Sequence, residues 1–175
     1  AVLPAVLAQG GSRVDLLVYG GNGDRADSLP SYIEFFSPGE VWDLSWEILP
    51  RRWPGEGKNP RVELIPKDRW RTQGTSGWAL LVSEGESRFL LDGAPGKWPA
   101  GWAERWREKP LAVQLSPRTL SSASSRWLLA RARPEVLLLP KRRSAREFSF
   151  GGEIVAGGWA RIEMSREGIE VERAE

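Results

Sequence analysis

The side chains that can do chemistry here are carboxylates, hydroxyls and basic groups, because the 175 residues include no histidine and no cysteine. Imidazole is the commonest zinc ligand and the usual general base near neutral pH. The composition therefore excludes histidine-based zinc hydrolysis, a Ser-His-Asp triad, thiolate metal sites and disulfide bonds.

Three aspartates offer a metal chemistry that does not need histidine. Asp24, Asp68 and Asp92 could together form an all-carboxylate magnesium site of the kind that supports phosphodiester cleavage. The plainer interpretation treats Asp24 as a turn residue that accepts hydrogen bonds from loop amides, and Asp68 as a solvated surface charge. We favour the plainer interpretation and predict a chain without metal or other cofactor.

Two further segments are weak candidates for a nucleophile or a phosphate loop. In the serine cluster at residues 121–125, a nucleophile would need a lysine or a carboxylate as its base, so helix capping is the favoured role. The glycine-rich residues 20–23 lack the lysine and the spacing of a P-loop. Neither segment predicts an enzyme.

Basic residues and tryptophans point to a possible partner. The 25 basic and 23 acidic residues give a net charge of +2, which supports strong nucleic-acid binding only if the basic residues gather on one face. Several of the ten tryptophans adjoin arginine, and such pairs can stack on bases while holding phosphates. Trp106 and Trp127 are better explained as core residues. The candidate DNA-binding residues are Arg51, Arg52, Trp53, Arg69, Trp70, Arg71, Lys141, Arg142, Arg143 and Arg146.

Apolar runs, helical periodicity and turn formers predict a chain in which strands and helices alternate. Residues 50–60 and 141–146 indicate basic surface loops. The alternation predicts a layered α/β protein with one domain, residues 1–175, and a loose tail after Val171. Strands are expected over 14–18, 40–42, 61–65, 79–83, 87–91, 111–115, 136–139, 160–164 and 169–171, and helices over 31–36, 99–108 and from the serine cluster to Arg131.

The apolar start of the chain, residues 1–8, is too short to cross a bilayer and is expected to be a core helix. No other segment approaches the roughly 20 apolar residues of a membrane span. We therefore expect a soluble domain, which could be cut from a larger membrane protein.

The order of these segments carries a family resemblance. The strand at 14–18 leads into a loop that ends at residues 29–30, the hairpin ends at residues 92–94, and a serine-rich cap precedes a helix that ends at residues 133–134. Over nearly the whole chain, this order with its near-constant spacing resembles the metallo-β-lactamase-like domain of ComEC-type competence proteins. The resemblance implies an αββα sandwich, here lacking the first strands that family members carry.

The metal-ligand positions implied by the resemblance are altered together. Asp24 alone survives from the family's first metal loop, the later carboxylate position becomes Ala94, and a histidine pair becomes Pro117 and Arg118. Arginine at such positions would repel a cation. The resemblance therefore implies a pseudo-enzyme with no catalytic residue and no metal. The vestigial metal-loop positions are Gly20, Asn22, Asp24, Arg25, Ala94, Pro117 and Arg118.

The function implied by the resemblance is DNA uptake in natural transformation. We expect a non-catalytic, membrane-associated domain of a competence-related channel protein, which guides single-stranded or duplex DNA without cutting it and has no small-molecule substrate. It would contact the remainder of the channel protein at the outer face of the bacterial inner membrane. Two alternatives stay open: a structural or protein-interaction module without DNA contact, and a residual nuclease that uses magnesium or manganese.

Overall fold

Two units, Ala1–Ile48 and Leu49–Glu175, make up the chain in a computed structural model, and each is described by itself. The prediction of one domain over the whole chain stays a prediction. The predicted helix at residues 1–8 and the basic loop at 141–146 lie outside the described residues. The structure describes residues 14–19, 29–44, 50–54, 60–68, 77–106, 111–116, 119, 122–139, 151–156, 159–165 and 167–174.

The first unit is built on a parallel strand pair. Strand β1 (Leu16–Tyr19) pairs with strand β2 (Glu40–Asp43), and helix α1 (Leu29–Phe36) lies between them in the chain. Parallel strands need such a crossover, because their ends cannot be joined by a tight turn. Both strands and the helix were predicted from the sequence, and the helix begins one residue before Pro30.

The second unit contains a seven-stranded sheet whose strands follow one another in chain order. The pairings are antiparallel from β3 to β6 and parallel from β6 to β9. An antiparallel hairpin, β10 with β11, completes the strands of this unit. The bounds are β3 (Arg51–Trp53), β4 (Arg61–Lys67), β5 (Gly77–Glu84), β6 (Ser87–Ala94), β7 (Leu111–Leu115), β8 (Val136–Leu139), β9 (Glu153–Ala156), β10 (Trp159–Met164) and β11 (Ile169–Ala174).

A 3-10 helix (Ala103–Trp106) and helix α2 (Ala123–Ala132) accompany this sheet. Helix α2 starts where the serine cluster predicts, because the Ser122 hydroxyl accepts a hydrogen bond from the Ser125 N–H at 3.1 Å. It ends at Arg133, which adopts the left-handed conformation (φ 49°) ahead of Pro134. The α/β class predicted from the sequence is confirmed by these strands and helices.

The two faces of the sheet pack against different elements. On one face, buried residues of the central strands, such as Leu81 and Val113, form the main core with Leu128 of α2. On the other face, Ala112 and Leu138 belong to a smaller apolar cluster. The hairpin covers that cluster with Ile162, Ile169 and Val171. Trp127 packs against the main core, as its sequence interpretation predicted.

Several sequence predictions are wrong in detail. Residues 51–53 are not a loop but form the edge strand β3. Charged residues are common in edge strands, and three residues are too few to show the alternation of apolar and polar residues that predicts a strand. Of the helix predicted over 99–108, residues 99–102 are not helical and residues 103–106 form the 3-10 helix, because Gly101 takes a positive φ of 69°. Residues 107–108 lie outside the described residues. The tail after Val171 is ordered as β11, which pairs with β10 as far as Ala174. Strand β9 was not predicted.

No helix among the described residues has the length and apolar character needed to cross a membrane.

Candidate functional site

The candidate site lies at the edge of the sheet where β4, β6 and β7 end. Strands β4 and β6 both run antiparallel to β5, so they point the same way, and β7 is parallel to β6. Their carboxyl ends therefore meet at one edge, which is the edge where open α/β sheets commonly place polar chemistry. Lys67 is the last residue of β4, and Asp92 lies near the end of β6.

Lys67 and Asp92 form an ion pair in the protein interior. The Lys67 Nζ contacts the Asp92 Oδ1, and both side chains are 0% exposed. The other carboxylate oxygen, Oδ2, accepts a hydrogen bond of 2.7 Å from the Ser125 hydroxyl on α2. Both oxygens of Asp92 are therefore engaged by groups of the chain itself. We call Lys67, Asp92 and Ser125 the buried cluster.

Two stacked tryptophans lie beside the buried cluster. The Lys67 Nζ is 4.5 Å from the centroid of the Trp98 ring, a cation–π distance. Trp98 in turn stacks on Trp102, with ring centroids 4.6 Å apart and an angle of 22° between the planes. Both rings are buried, so the Lys67 amine has an aromatic surface where an exposed lysine would have water.

Burial changes the acid–base behaviour of Lys67. Loss of solvation lowers the pKa of its ammonium from the ordinary value of 10.5, because burial penalises the charged form. The charge of Asp92 and the hydrogen bond with it act in the opposite direction. The lysine is thus closer to its neutral amine form than a lysine in water.

Hydroxyl groups connect the buried cluster to the next loop and to the start of α2. Thr119 Oγ1 donates to the Asp92 carbonyl oxygen at 3.0 Å, and the Ser116 N–H donates to the same oxygen at 3.2 Å. The Ser122 hydroxyl donates to the Ser125 hydroxyl at 2.9 Å. A chain of hydroxyls therefore runs from the half-buried Ser122 through Ser125 to the carboxylate.

Glycines let the segment after β6 pack closely on its neighbours. A Cβ on Gly77 would lie 2.3 Å from the Pro95 carbonyl oxygen, and one on Gly96 would lie 2.7 Å from the Lys67 Cβ. A Cβ on Gly93 would lie 2.2 Å from the Trp78 ring. These contacts fix the backbone around Lys67 and Asp92, so the geometry of the buried cluster depends on them.

The alternative all-carboxylate magnesium site receives no support from the described aspartates. Asp92 is fully buried and paired with Lys67, whereas Asp68 is exposed and its backbone forms a β-bridge with Lys97. Asp24 lies outside the described residues. Within the described part of the chain, no three His, Cys, Asp or Glu side chains are grouped as a metal would require.

Most of the vestigial metal-loop positions cannot be placed. Ala94 is the last residue of β6 and pairs with Trp78 across the hairpin. The remaining positions lie outside the described residues: Gly20, Asn22, Asp24, Arg25, Pro117 and Arg118.

Three of the candidate DNA-binding residues lie on edge strand β3. Arg52 pairs with Glu63 at 3.5 Å, and its side chain is 81% exposed. Arg51 and Trp53 are half-buried and face the opposite side of the sheet, because neighbours on a strand alternate. The others lie outside the described residues: Arg69, Trp70, Arg71, Lys141, Arg142, Arg143 and Arg146.

Sequence reasoning missed Lys67. The available signal was its position two residues after the buried Ile65, which places both side chains on the same face of β4. A lysine in phase with a buried strand position requires a buried acidic partner. Asp92, which follows the buried Leu90 by two residues, meets that requirement.

Three comparisons relate the chain to known proteins. No family model matches the chain, and no curated protein matches it significantly. Among solved structures, the chain is similar to the metallo-β-lactamase fold protein YhfI from Bacillus subtilis, with 11% identity over 97% of this chain and 69% of that chain. The TM-score is 0.42. A likeness at this level carries no argument about the fold or the activity of this chain.

Proposed function

We propose that this chain is a non-catalytic, metallo-β-lactamase-like domain that handles DNA in a competence-type uptake system. The observation that supports its lack of catalysis is the state of Asp92. Lys67 contacts one carboxylate oxygen, Ser125 donates to the other, and the side chain has no contact with solvent. A carboxylate held in this way can bind a metal or act as a general base only after the buried cluster is broken.

The DNA part of the proposal is supported by the exposed edge of the sheet. Arg52 extends into solvent from β3, and arginine forms paired hydrogen bonds with phosphate oxygens. Arg51 and Trp53 are half-buried on the opposite face of the same strand, so Arg52 carries the contact on its own face. Glu63 offsets part of this charge. The expected contact is therefore modest in affinity, directed to the backbone and dependent on salt.

The partners in this proposal are a DNA strand and the remainder of a membrane channel protein. The domain would stand at the outer face of the bacterial inner membrane, as the sequence resemblance implies. Its role would be to guide the strand, since the buried cluster offers no exposed group for cleavage.

A fluorescence-anisotropy titration of labelled single-stranded and duplex DNA tests this function. The wild-type chain should bind at low salt, and its affinity should fall steeply as salt rises. Arg52→Gln should weaken binding several-fold and reduce the salt slope by about 1, because one phosphate contact is lost. The labelled DNA should stay intact with magnesium or manganese present.

Arg131→Gln is the matched control for this titration. Arg131 is also an exposed arginine beside a glutamate, at 3.7 Å from Glu104, but it lies on α2. We expect this variant to bind as the wild type does. No binding at low salt would contradict the DNA role and leave the structural or protein-interaction module as the better account. Cleavage that is lost in the double variant Lys67→Met with Asp92→Leu would instead support the alternative of a residual nuclease.

A further inference from the structure

Lys67 and Asp92 have the positions that an amine and a carboxyl group need in order to form an amide. The amine and the carboxyl group touch, neither is accessible to solvent, and their strands β4 and β6 are held in place on either side of β5. We propose that the two side chains condense spontaneously into an isopeptide bond between Lys67 Nζ and Asp92 Cγ, which cross-links β4 to β6.

The surroundings favour the amide over the ion pair. Two buried charges carry a desolvation penalty, and an amide removes both of them. Groups that are fixed in contact react as if at very high concentration, which lowers the entropic part of the barrier to condensation. The buried Trp98 ring beside the amine also helps to keep out the water that would hydrolyse the product.

The reaction requires a neutral amine on Lys67 and a protonated carboxyl group on Asp92. Burial lowers the pKa of Lys67, which raises the share of its neutral, nucleophilic amine. The condensation starts with transfer of one proton from the ammonium to the carboxyl group of Asp92 that it touches. A neutral amine and a carboxylic acid then face each other. The amine is the nucleophilic form, and the acid is the form that can lose water.

The bond changes balance without a further reactant. The Nζ lone pair attacks Cγ, and the bond between Cγ and Oδ2 breaks. Oδ2 leaves as water with two protons, one that the carboxyl group received from the ammonium and one that the attacking nitrogen gives up through the Ser125 hydroxyl. Oδ1 remains as the amide oxygen. No oxidant, reductant or activating group is consumed.

Ser125 is the third member of the reaction. Its hydroxyl hydrogen-bonds to Oδ2, the oxygen that leaves, and it receives a hydrogen bond from Ser122. It can therefore pass its own proton to the leaving oxygen and take up the proton that the attacking nitrogen gives up, while Ser122 donates a hydrogen bond to its oxygen. This places Ser125 at the reacting atoms as a catalytic residue.

The mass of the denatured wild-type chain tests the proposal. The expected mass is that of the sequence less one water molecule. Trypsin should leave residues 62–69 joined to residues 89–97, because it cannot cleave after an acylated Lys67. The full sequence mass, with cleavage after Lys67 and separate peptides, would overturn the proposal and leave an ion pair.

Variants separate the cross-link from any other loss of water. Asp92→Asn should lose the mass of one ammonia instead of one water, because the amide nitrogen is then the leaving group. Lys67→Arg should keep its full sequence mass, since a guanidinium is a poor nucleophile. Ser125→Ala should raise the fraction of chains with the full mass in freshly purified protein. A loss of water that persists in Lys67→Arg would show that another residue is responsible. If these variants fail to fold, the mass and the tryptic peptides of the wild-type chain still show whether the cross-link is present.

Discussion

Lys67 and Asp92 lie at the carboxyl edge of the sheet, but both side chains are buried in the core and not exposed there. Each is a charged residue in phase with buried apolar positions of its strand, and neither has contact with solvent. As an ion pair, the two side chains offset part of each other's desolvation penalty, and as an amide they would carry no charge. Loss of one partner is therefore expected to cost far more than loss of a surface charge.

Lys67→Met should destabilise the chain strongly, because Asp92 would stay buried without its partner. Breaking a buried pair on one side costs about 3–5 kcal/mol. Replacing both partners, Lys67→Met with Asp92→Leu, should recover much of that loss, since no charge is left unpaired. Urea unfolding monitored by tryptophan fluorescence measures both effects.

Arg52→Met is the control for the buried pair. Arg52 also pairs with a carboxylate, that of Glu63, but at an exposed position, so its loss should change stability by less than about 1 kcal/mol. Equal losses for Arg52→Met and Lys67→Met would contradict the account.

Gly77→Ala should also destabilise the chain. Its Cβ would lie 2.3 Å from the Pro95 carbonyl oxygen, a backbone atom that cannot turn away. Overpacking of this kind costs about 1–3 kcal/mol. Gly151→Ala is the control, because a Cβ there meets nothing within 4 Å. Thermal unfolding should show a lower midpoint for Gly77→Ala alone, and an unchanged midpoint would refute the close packing described here.

Sequence patterns could indicate the residues of the site only in part. Asp92 was recognised as a candidate for chemistry, but it was grouped with Asp24 and Asp68 because sequence does not show which charges are buried together. Lys67 was missed because a single lysine at the end of a strand is usually solvated. The pairing becomes evident only when β4 and β6 are placed on either side of β5.

Among the elements, the hairpin of β10 and β11 is fastened to the sheet through one hydroxyl. The buried Ser87, the first residue of β6, donates to the carbonyl oxygens of Ser165 at 2.6 Å and Gly168 at 2.9 Å. Ile162 and Val171 add apolar contact with the sheet. The turn of the hairpin is therefore held by hydrogen bonds, and its strands by packing.

Ser87→Ala should loosen the hairpin, because the two carbonyl groups would lose their shared donor. The expected cost is about 1–3 kcal/mol, with faster amide hydrogen exchange in β10 and β11 than in β7. Ser165→Ala removes an exposed hydroxyl whose hydrogen bonds, to the Gly168 carbonyl oxygen and from the Glu167 N–H, stay within the turn, so the exchange in the strands should change little. Exchange that is unaffected by Ser87→Ala would show that apolar packing alone holds the hairpin.

Two serines at the start of helix α2, Ser122 and Ser124, should have different effects on stability when each is replaced by alanine. Ser122→Ala should cost about 1 kcal/mol, because the N-cap acceptor of the Ser125 N–H is lost. Ser124→Ala should be neutral or stabilising, since the Ser124 hydroxyl is buried and has no hydrogen-bond partner among the described residues. Chemical unfolding of the two variants measures the difference, and the reverse order would contradict the assigned cap.

Long, regular elements were predictable from the sequence, and short edge elements were not. The hairpin of β5 and β6 shows a clear turn and two apolar runs, and α2 has its serine cap. Edge strand β3 consists of three residues with two arginines, and β9 has four residues, so neither shows a period. Their strand geometry comes from pairing with a neighbour, which is a tertiary effect.

At the scale of the whole molecule, the alternation of strands and helices in the sequence predicted the α/β class. The proposed function is inferred from the buried cluster and from the exposed edge of the sheet. The DNA role remains a proposal, supported by exposed Arg52 at the sheet edge. The lack of catalysis is also a proposal, and it depends on a single structural feature. Asp92 has one oxygen on Lys67 and the other on Ser125.

Metal content is the measurement that tests this claim most directly. The chain would be purified without chelator, incubated with zinc or manganese, dialysed and analysed for bound ions. We predict far less than one ion per chain, because the carboxylate of Asp92 is already engaged. One tightly held ion per chain that disappears in the double variant Lys67→Met with Asp92→Leu, which leaves no buried charge unpaired, would contradict the account.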